Sequence, residues 1–189
     1  MKWIVAAAGL LLAAAPLVLA SESVRYADGP PPGFTGDFGE PTCGTCHMDA
    51  DVVPDAPELA VHGVPAHYEP GKTYRLVVSA TSEGIAAAGF QLASRTARDR
   101  QAGTLRATDG RARVTTDSAT GVEFASHTAQ GTALVGGDSA RWALEWTAPS
   151  TPADSVVFSA VVNAANGDDS NFGDRILTRR YVTIRRATP

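Results

Sequence analysis

Beyond residue 70, apolar and polar residues alternate over short stretches of the chain. In the stretch 141–147, Trp142, Leu144 and Trp146 recur at every second position, which is the period of a half-buried strand. We therefore expect these three side chains in the core. Glycine, proline and Asp-Gly breaks separate similar runs. The pattern predicts strands at 72–80, 89–93, 104–107, 111–115, 122–126, 141–147, 155–163 and 179–186.

Seven or eight short strands with turns between them indicate an all-β fold, an antiparallel β-sandwich over residues 71–189. No helical period appears after residue 20, and no internal repeat is present. A length of 189 residues with 44% apolar residues is typical of one globular domain with its own core.

Residues 21–70, called the leader below, have a different composition. The run 29–33 is Gly-Pro-Pro-Pro-Gly, and this density of proline and glycine predicts an irregular segment, without a helix or a central strand. The leader also holds both cysteines and three of the four histidines. The candidate chemistry therefore lies ahead of the predicted sandwich.

Residues 1–20 have the pattern of an export signal. Lys2 is followed by an apolar run that ends in small residues at Ala20. We expect the signal to be cleaved and the protein to reach the periplasm or the extracellular space. The alternative is an uncleaved run that anchors the chain in a membrane.

The charge of the chain limits its partners. A formal net charge of −4 excludes a nucleic-acid-binding protein, which needs a basic face to neutralise phosphates. The leader carries nine acidic residues and one basic residue. This charge favours a partner protein with a basic docking face.

The candidate chemistry lies in the sequence Cys43-Gly-Thr-Cys-His47. C-x-x-C-H is the attachment sequence of c-type haem. Cys43 and Cys46 are spaced to form thioethers with the two vinyl groups of one haem, and His47 then follows as the proximal ligand of the iron. The pentapeptide therefore predicts one covalent haem c per chain.

Three alternatives remain open for the two cysteines. A thioredoxin-like redox pair needs a βαβ setting, which the neighbouring glycines and prolines disfavour. A zinc site needs two further ligands, for which His62 and His67 are available in the sequence. A structural disulfide between Cys43 and Cys46 is compatible with export, although such a short ring stabilises little.

The second axial ligand of the haem iron is a separate question. Met48 adjoins His47 and cannot reach the opposite face of the same ring. The remaining donors are His62, His67 and His127, of which His127 ends a predicted strand and is our candidate. A structural role for this histidine, and an iron with an open position that binds small ligands, are the alternatives. An iron bound by two histidines would lack the methionine ligand that raises the reduction potential of the haem.

The stretch 163–174 contains six Asn and Asp residues. Their oxygens are suited to a calcium ion, and the same composition is equally typical of a tight loop between strands.

The chain resembles exported bacterial proteins related to the Reeler (reelin N-terminal) domain. The resemblance rests on the segment Pro30-Pro-Pro-Gly-Phe-Thr-Gly36 with the Cys43–His47 motif, on Tyr68-Glu-Pro-Gly-Lys-Thr-Tyr74, on the pair His127-Thr128 and on Asn163-Ala-Ala-Asn-Gly-Asp168. It implies an immunoglobulin-like sandwich and a periplasmic or surface location. The matched His-Thr pair supports a functional role for His127.

These observations together predict an exported monohaem c-type cytochrome, an electron carrier that passes one electron to a redox partner. The alternative is a haem-free secreted binding or adhesion module with a Cys43–Cys46 disulfide.

Overall fold

The structure, a computed structural model, describes residues 26–151, 153–168 and 170–187. The predicted export signal at 1–20 lies outside these residues. Two 3-10 turns occur in the described part of the chain, at Cys43–Thr45 and Ala129–Thr132. The strands there are β1 (Val52–Val53), β2 (Leu59–His62), β3 (His67–Tyr68), β4 (Thr73–Thr81), β5 (Ala87–Thr96), β6 (Thr104–Ala107), β7 (Ala112–Thr116), β8 (Glu123–His127), β9 (Ser139–Thr147), β10 (Ser155–Ala165) and β11 (Arg175–Arg185).

The strands form two sheets. The larger sheet has the order β1-β11-β10-β5-β8-β7, and β3 also pairs with β11. The smaller sheet has the order β2-β4-β9-β6. All neighbours are antiparallel except β1 and β3, which run parallel to β11. The antiparallel β-sandwich that the alternation predicts is confirmed, and in the described residues no helix is long and apolar enough to cross a membrane.

The core lies between the two sheets and is built around two tryptophans of β9. Trp142 stacks on Phe90 at a centroid distance of 4.5 Å, and Trp146 meets Phe158 edge to face at 4.8 Å. Leu144, between them, is fully buried. Both indole N–H groups donate to backbone carbonyls at 2.9 Å, so no polar atom of these side chains is left unpaired. The prediction that this stripe is core is confirmed.

The leader is less irregular than its composition predicts. Three short strands, β1 to β3, lie between residues 52 and 68 and belong to the two sheets. Strands β1 and β3 have only two residues each, and β2 has four and lies at a sheet edge. The prolines at 54, 57 and 65 lie between these strands, where they remove no hydrogen bond of a sheet ladder.

Residues 26–51 of the leader lie against the outer face of the larger sheet. The side chain of Gln91 on β5 accepts a hydrogen bond from the Phe34 N–H at 2.7 Å and donates to the Pro31 carbonyl at 2.9 Å. On β10, Ser159 donates to Asp37 at 2.6 Å. Gln91 and Ser159 face away from the core because strand residues alternate between faces. The leader therefore buries the second face of β5 and β10.

Candidate functional site

The Cys43–His47 segment is wound into a tight turn that ends the irregular part of the leader. The Thr42 hydroxyl caps the turn by accepting from the Gly44 N–H at 3.2 Å. The N–H groups of Cys46 and His47 both donate to the Cys43 carbonyl, at 3.1 and 3.0 Å. This winding directs Cys43, Cys46 and His47 toward one cavity, which all three line.

The cavity has a volume of about 320 Å³ and lies between the leader and the larger sheet. We call it the main cavity. Its walls are mostly apolar, which is typical of sites that bury a large organic group. Five segments contribute lining residues: the leader (Tyr26, Ala27, Pro30, Pro31, Phe34, Cys43, Cys46, His47), β5 (Ala87, Ala88, Gly89, Phe90), the end of β8 with the 3-10 turn after it (His127, Thr132), β10 (Asn163, Ala165) and the following loop (Gly167, Ser170, Asn171, Asp174).

His47 is held by a carboxylate at the edge of the main cavity. Its Nδ1 lies 2.5 Å from Oδ2 of Asp174, whose side chain is only 1% exposed. The Asn163 amide donates to the same oxygen at 3.1 Å, and the Asn166 N–H donates to Oδ1 at 3.1 Å. A second ring nitrogen bonded to a carboxylate is the usual setting of a histidine that binds a metal.

His127 lines the same cavity. Its ring lies against Gly89, where an added Cβ would be 2.5 Å from Cε1, so only glycine fits at position 89. The Phe90 N–H donates to Nδ1 at 3.0 Å, and Nε2 lies 3.2 Å from the Tyr26 carbonyl. Burial lowers the pKa of His127 and favours the neutral imidazole. Metal ions bind this neutral form.

The two thiols are not joined. Cys43 is half-buried and Cys46 is exposed, and both are free. Burial raises the pKa of the Cys43 thiol to about 12. Catalytic cysteines of thioredoxin-like proteins have the opposite shift, toward a stable thiolate. The environment of Cys43 is therefore unlike that of a redox-active cysteine pair.

The other candidate ligands from the sequence are not part of the main cavity. Met48 is exposed, and His67 is exposed on β3. His62 contacts the Ser79 hydroxyl at 3.0 Å on the smaller sheet. Across the described ranges, no three His, Cys, Asp or Glu side chains are grouped so that they could hold a metal ion. The geometry of a zinc site with His62 and His67 is not present there.

Three residues have a role in this site that the sequence reasoning does not assign to them. Gly89 makes room for His127, whereas Asp174 and Asn163 hold His47. The density of Asn and Asp in 163–174 is a signal for this region, but it points equally to calcium or to a turn. The contact with His47 joins distant parts of the chain, which no local pattern predicts.

No model of a protein family matches the sequence, and no curated protein matches it. Among solved structures, the chain is similar to the Reelin-N domain of F-spondin, at 19% identity and a TM-score of 0.53, over 76% of this chain and 97% of that one. It is also similar to a human F-spondin reeler domain, at 20% identity and a TM-score of 0.51, over 72% and 95%. Similarity at this identity shows the fold alone. The chain has a Reeler-like antiparallel β-sandwich fold.

Proposed function

We propose that the protein is an exported monohaem c-type cytochrome that carries one electron to a partner protein. Cys43 and Cys46 would hold the haem through thioethers, His47 would be the proximal ligand, and His127 the second axial ligand. The observation that supports this most is the main cavity, which all four side chains line. When bound, haem c supplies a one-electron Fe(III)/Fe(II) couple.

The residues present fit this group. Two free thiols and an imidazole follow one another on a single turn, and the thiols are not consumed by a disulfide. The cavity beside them is mostly apolar and is bounded by the leader and the sheet. Nδ1 of His127 accepts from the Phe90 N–H, so the hydrogen of the neutral ring lies on Nε2, next to the Tyr26 carbonyl. Nε2 would bind iron once this hydrogen has moved to Nδ1, which also lies 3.3 Å from the Phe90 carbonyl.

The chain's own contribution is to orient the ligands and to limit water. Asp174 orients the ring of His47, and Gly89 allows the ring of His127 to lie flat against β5. The leader is held against the larger sheet beside the cavity by two hydrogen bonds: the Phe34 N–H donates to the Gln91 side chain, which in turn donates to the Pro31 carbonyl. A dry, shaped cavity of this kind controls the potential of a bound iron.

The electron would pass at the exposed end of the motif. Cys46 is exposed, and the neighbouring Asp49 and Asp51 are exposed as well. These acidic residues belong to the leader, which contains nine acidic residues and only one basic residue. A partner with a basic face would therefore dock beside the haem edge, and its association rate would fall with ionic strength.

The test is expression with the native export signal in cells that contain cytochrome c maturation factors. The wild-type chain should give a band in a peroxidase stain of a denaturing gel and a reduced-minus-oxidised spectrum of haem c. The matched control is the Cys43→Ala/Cys46→Ala double variant, which should fold but give neither signal. A wild-type protein without either signal would overturn the proposal, and a Cys43–Cys46 disulfide in it would indicate the haem-free module.

A further inference from the structure

We infer that Asp174 is the positioning residue of His47: it fixes the proton on Nδ1 and lowers the reduction potential of the iron that Nε2 binds. The effect on the potential rests on the proposed haem, whereas the position of the proton is a property of the polypeptide alone.

The contact itself has the geometry of a charge-assisted hydrogen bond. The distance from His47 Nδ1 to Asp174 Oδ2 is 2.5 Å, and the carboxylate is 1% exposed whereas the imidazole is 30% exposed. An ionised carboxylate only accepts hydrogen bonds, so Nδ1 must carry the hydrogen. In a neutral imidazole, Nε2 is then the nitrogen with a free lone pair.

The carboxylate is held in place from two further directions. The Asn163 amide donates to Oδ2 at 3.1 Å, and the Asn166 N–H donates to Oδ1. The Asn163 amide nitrogen also lies beside the imidazole of His47, 3.1 Å from Nδ1 and 3.3 Å from Nε2. Asn163 lies on β10 and Asp174 immediately precedes β11. The partner of His47 is thus fixed by two strands of the sheet, while His47 itself belongs to the leader.

Asn163 gives a second, independent indication. Its Oδ1 is buried and has no hydrogen-bond partner among the described residues. A buried acceptor without a partner destabilises the fold, so its presence beside Asp174 calls for an explanation. Here the amide is oriented so that its N–H₂ group donates to Asp174, which leaves its oxygen without a donor. The arrangement favours the geometry of His47 at the expense of stability.

The chemical consequence concerns the electron density of the ring. A carboxylate on the far nitrogen makes imidazole a more basic ligand. A more basic axial ligand stabilises Fe(III) relative to Fe(II), so the potential falls. Outer partners of this kind typically change metal affinity about tenfold or more, and a tenfold preference for one oxidation state is about 59 mV for one electron.

The experiment compares Asp174→Asn with Asp168→Asn in two forms of the protein. Asp168 lies in the same loop, is exposed and accepts from the Ser170 N–H, with no contact to His47. In the haem-loaded protein, Asp174→Asn should raise the midpoint potential by about 59 mV, which corresponds to a tenfold change in the preference for Fe(III). Asp168→Asn should leave the midpoint potential unchanged. An unchanged potential in Asp174→Asn would overturn the effect on the iron.

The haem-free protein is then examined by nitrogen NMR of ¹⁵N-labelled histidine, with His47 assigned by loss of its signal in His47→Gln. The wild type should show the hydrogen on Nδ1, and Asp174→Asn should show a mixture of both ring forms. A wild-type hydrogen on Nε2 would overturn the positioning role. If the protein never takes up haem, the proposed function fails, but the NMR measurement still tests whether Asp174 positions the hydrogen on His47.

A further variant covers the case in which Asp174→Asn does not fold. Asn163→Ala keeps the carboxylate and removes its support, so the potential should rise by a smaller amount and the ring signals of His47 should broaden. Thermal unfolding of all variants shows whether each is folded. Wild-type values for both readouts in folded Asn163→Ala would contradict the supporting role of Asn163.

Discussion

Arg95 and Glu40 form an ion pair that joins strand β5 to the leader, close before the turn that carries Cys43. The Arg95 side chain is only 2% exposed. Its guanidinium lies between the rings of Phe38 of the leader and Phe124 of β8, at centroid distances of 5.0 and 5.1 Å. This contact fixes the leader to the sheet and thereby the position of the cysteine turn over the main cavity.

Removing the charge of Glu40 should loosen this connection. In Glu40→Gln the guanidinium keeps Asp99 as its partner at 2.9 Å. The amide cannot replace both carboxylate oxygens, of which Oε1 accepts from Arg95 and Oε2 accepts from the N–H and the hydroxyl of Thr35. The expected loss is therefore at least that of one charged hydrogen bond, about 2 kcal/mol of unfolding free energy. Urea unfolding measures it. The control is Glu145→Gln, which breaks an exposed pair with Arg106 and should cost under about 1 kcal/mol. Equal losses in the two variants would contradict a special role of the Arg95 contact.

The pH dependence of stability should report on Asp37. Burial alone raises the pKa of its carboxyl, but hydrogen bonds from Ser159 and the Phe38 N–H, with the charge of Arg180, outweigh burial and hold the pKa below the ordinary value of 3.8. A carboxyl with a lowered pKa stabilises the fold above its unfolded pKa, and this stabilisation disappears as the pH falls through the folded value.

Asp37→Asn should therefore be less stable than the wild type at neutral pH, and the two should converge as the pH falls below 3.8. The measurement is the unfolding free energy of both proteins at a series of pH values on either side of that point. A difference that stays constant through the series would show that the charge of Asp37 does not stabilise the leader.

Gly89→Ala should displace His127 from the sheet. The new Cβ would lie 2.5 Å from Cε1 of the ring, and the ring is held by the Phe90 N–H and cannot move freely. Overpacking of this kind costs about 1–3 kcal/mol. Gly110→Ala is the control, because its Cβ meets only the end of the Gln130 side chain. The measurement is the midpoint of thermal unfolding. An equal decrease of this midpoint in Gly89→Ala and Gly110→Ala would contradict the close packing of His127 against Gly89.

His127→Leu tests whether this histidine is the second axial ligand. In the haem-loaded wild type, the spectrum should be that of a six-coordinate low-spin iron, with little binding of carbon monoxide. The variant should become high-spin and bind carbon monoxide readily, because no histidine or methionine other than His47 and His127 lines the cavity in the part of the chain that the structure describes. His62→Leu is the control, since the ring of His62 contacts the Ser79 hydroxyl on the smaller sheet and does not line the cavity. A wild type that already binds carbon monoxide would indicate an open position.

The strands could be predicted from the sequence because one face of each is buried against the core. In β9 the alternation of Trp142 and Trp146 with polar residues is sufficient to place the strand and its buried face. In β10 the alternation also predicts the strand and its core-facing side chains, but not that Ser159 and Asn163 are buried as well, on the other face. That face is covered by the leader, whose path is set by contacts between distant residues rather than by a local pattern.

The candidate site, like the fold, could be predicted where it depends on a local pattern and not where it depends on contacts between distant residues. The spacing of Cys43, Cys46 and His47 is the one that covalent haem attachment requires, so the sequence alone is sufficient to propose them as candidates. The link of His47 to Asp174 spans most of the chain and depends on the leader lying across the sheet. The density of Asn and Asp near Asp174 could indicate a polar loop, but not that one of its carboxylates meets a histidine.

The central claim is that a haem is bonded to Cys43 and Cys46, and the intact mass of the denatured polypeptide tests it most directly. After export in the presence of maturation factors, the wild-type chain should be heavier than the mature polypeptide by one haem, and the Cys43→Ala/Cys46→Ala chain should have the mass of the polypeptide alone. A wild-type mass equal to that of the bare polypeptide would contradict the account.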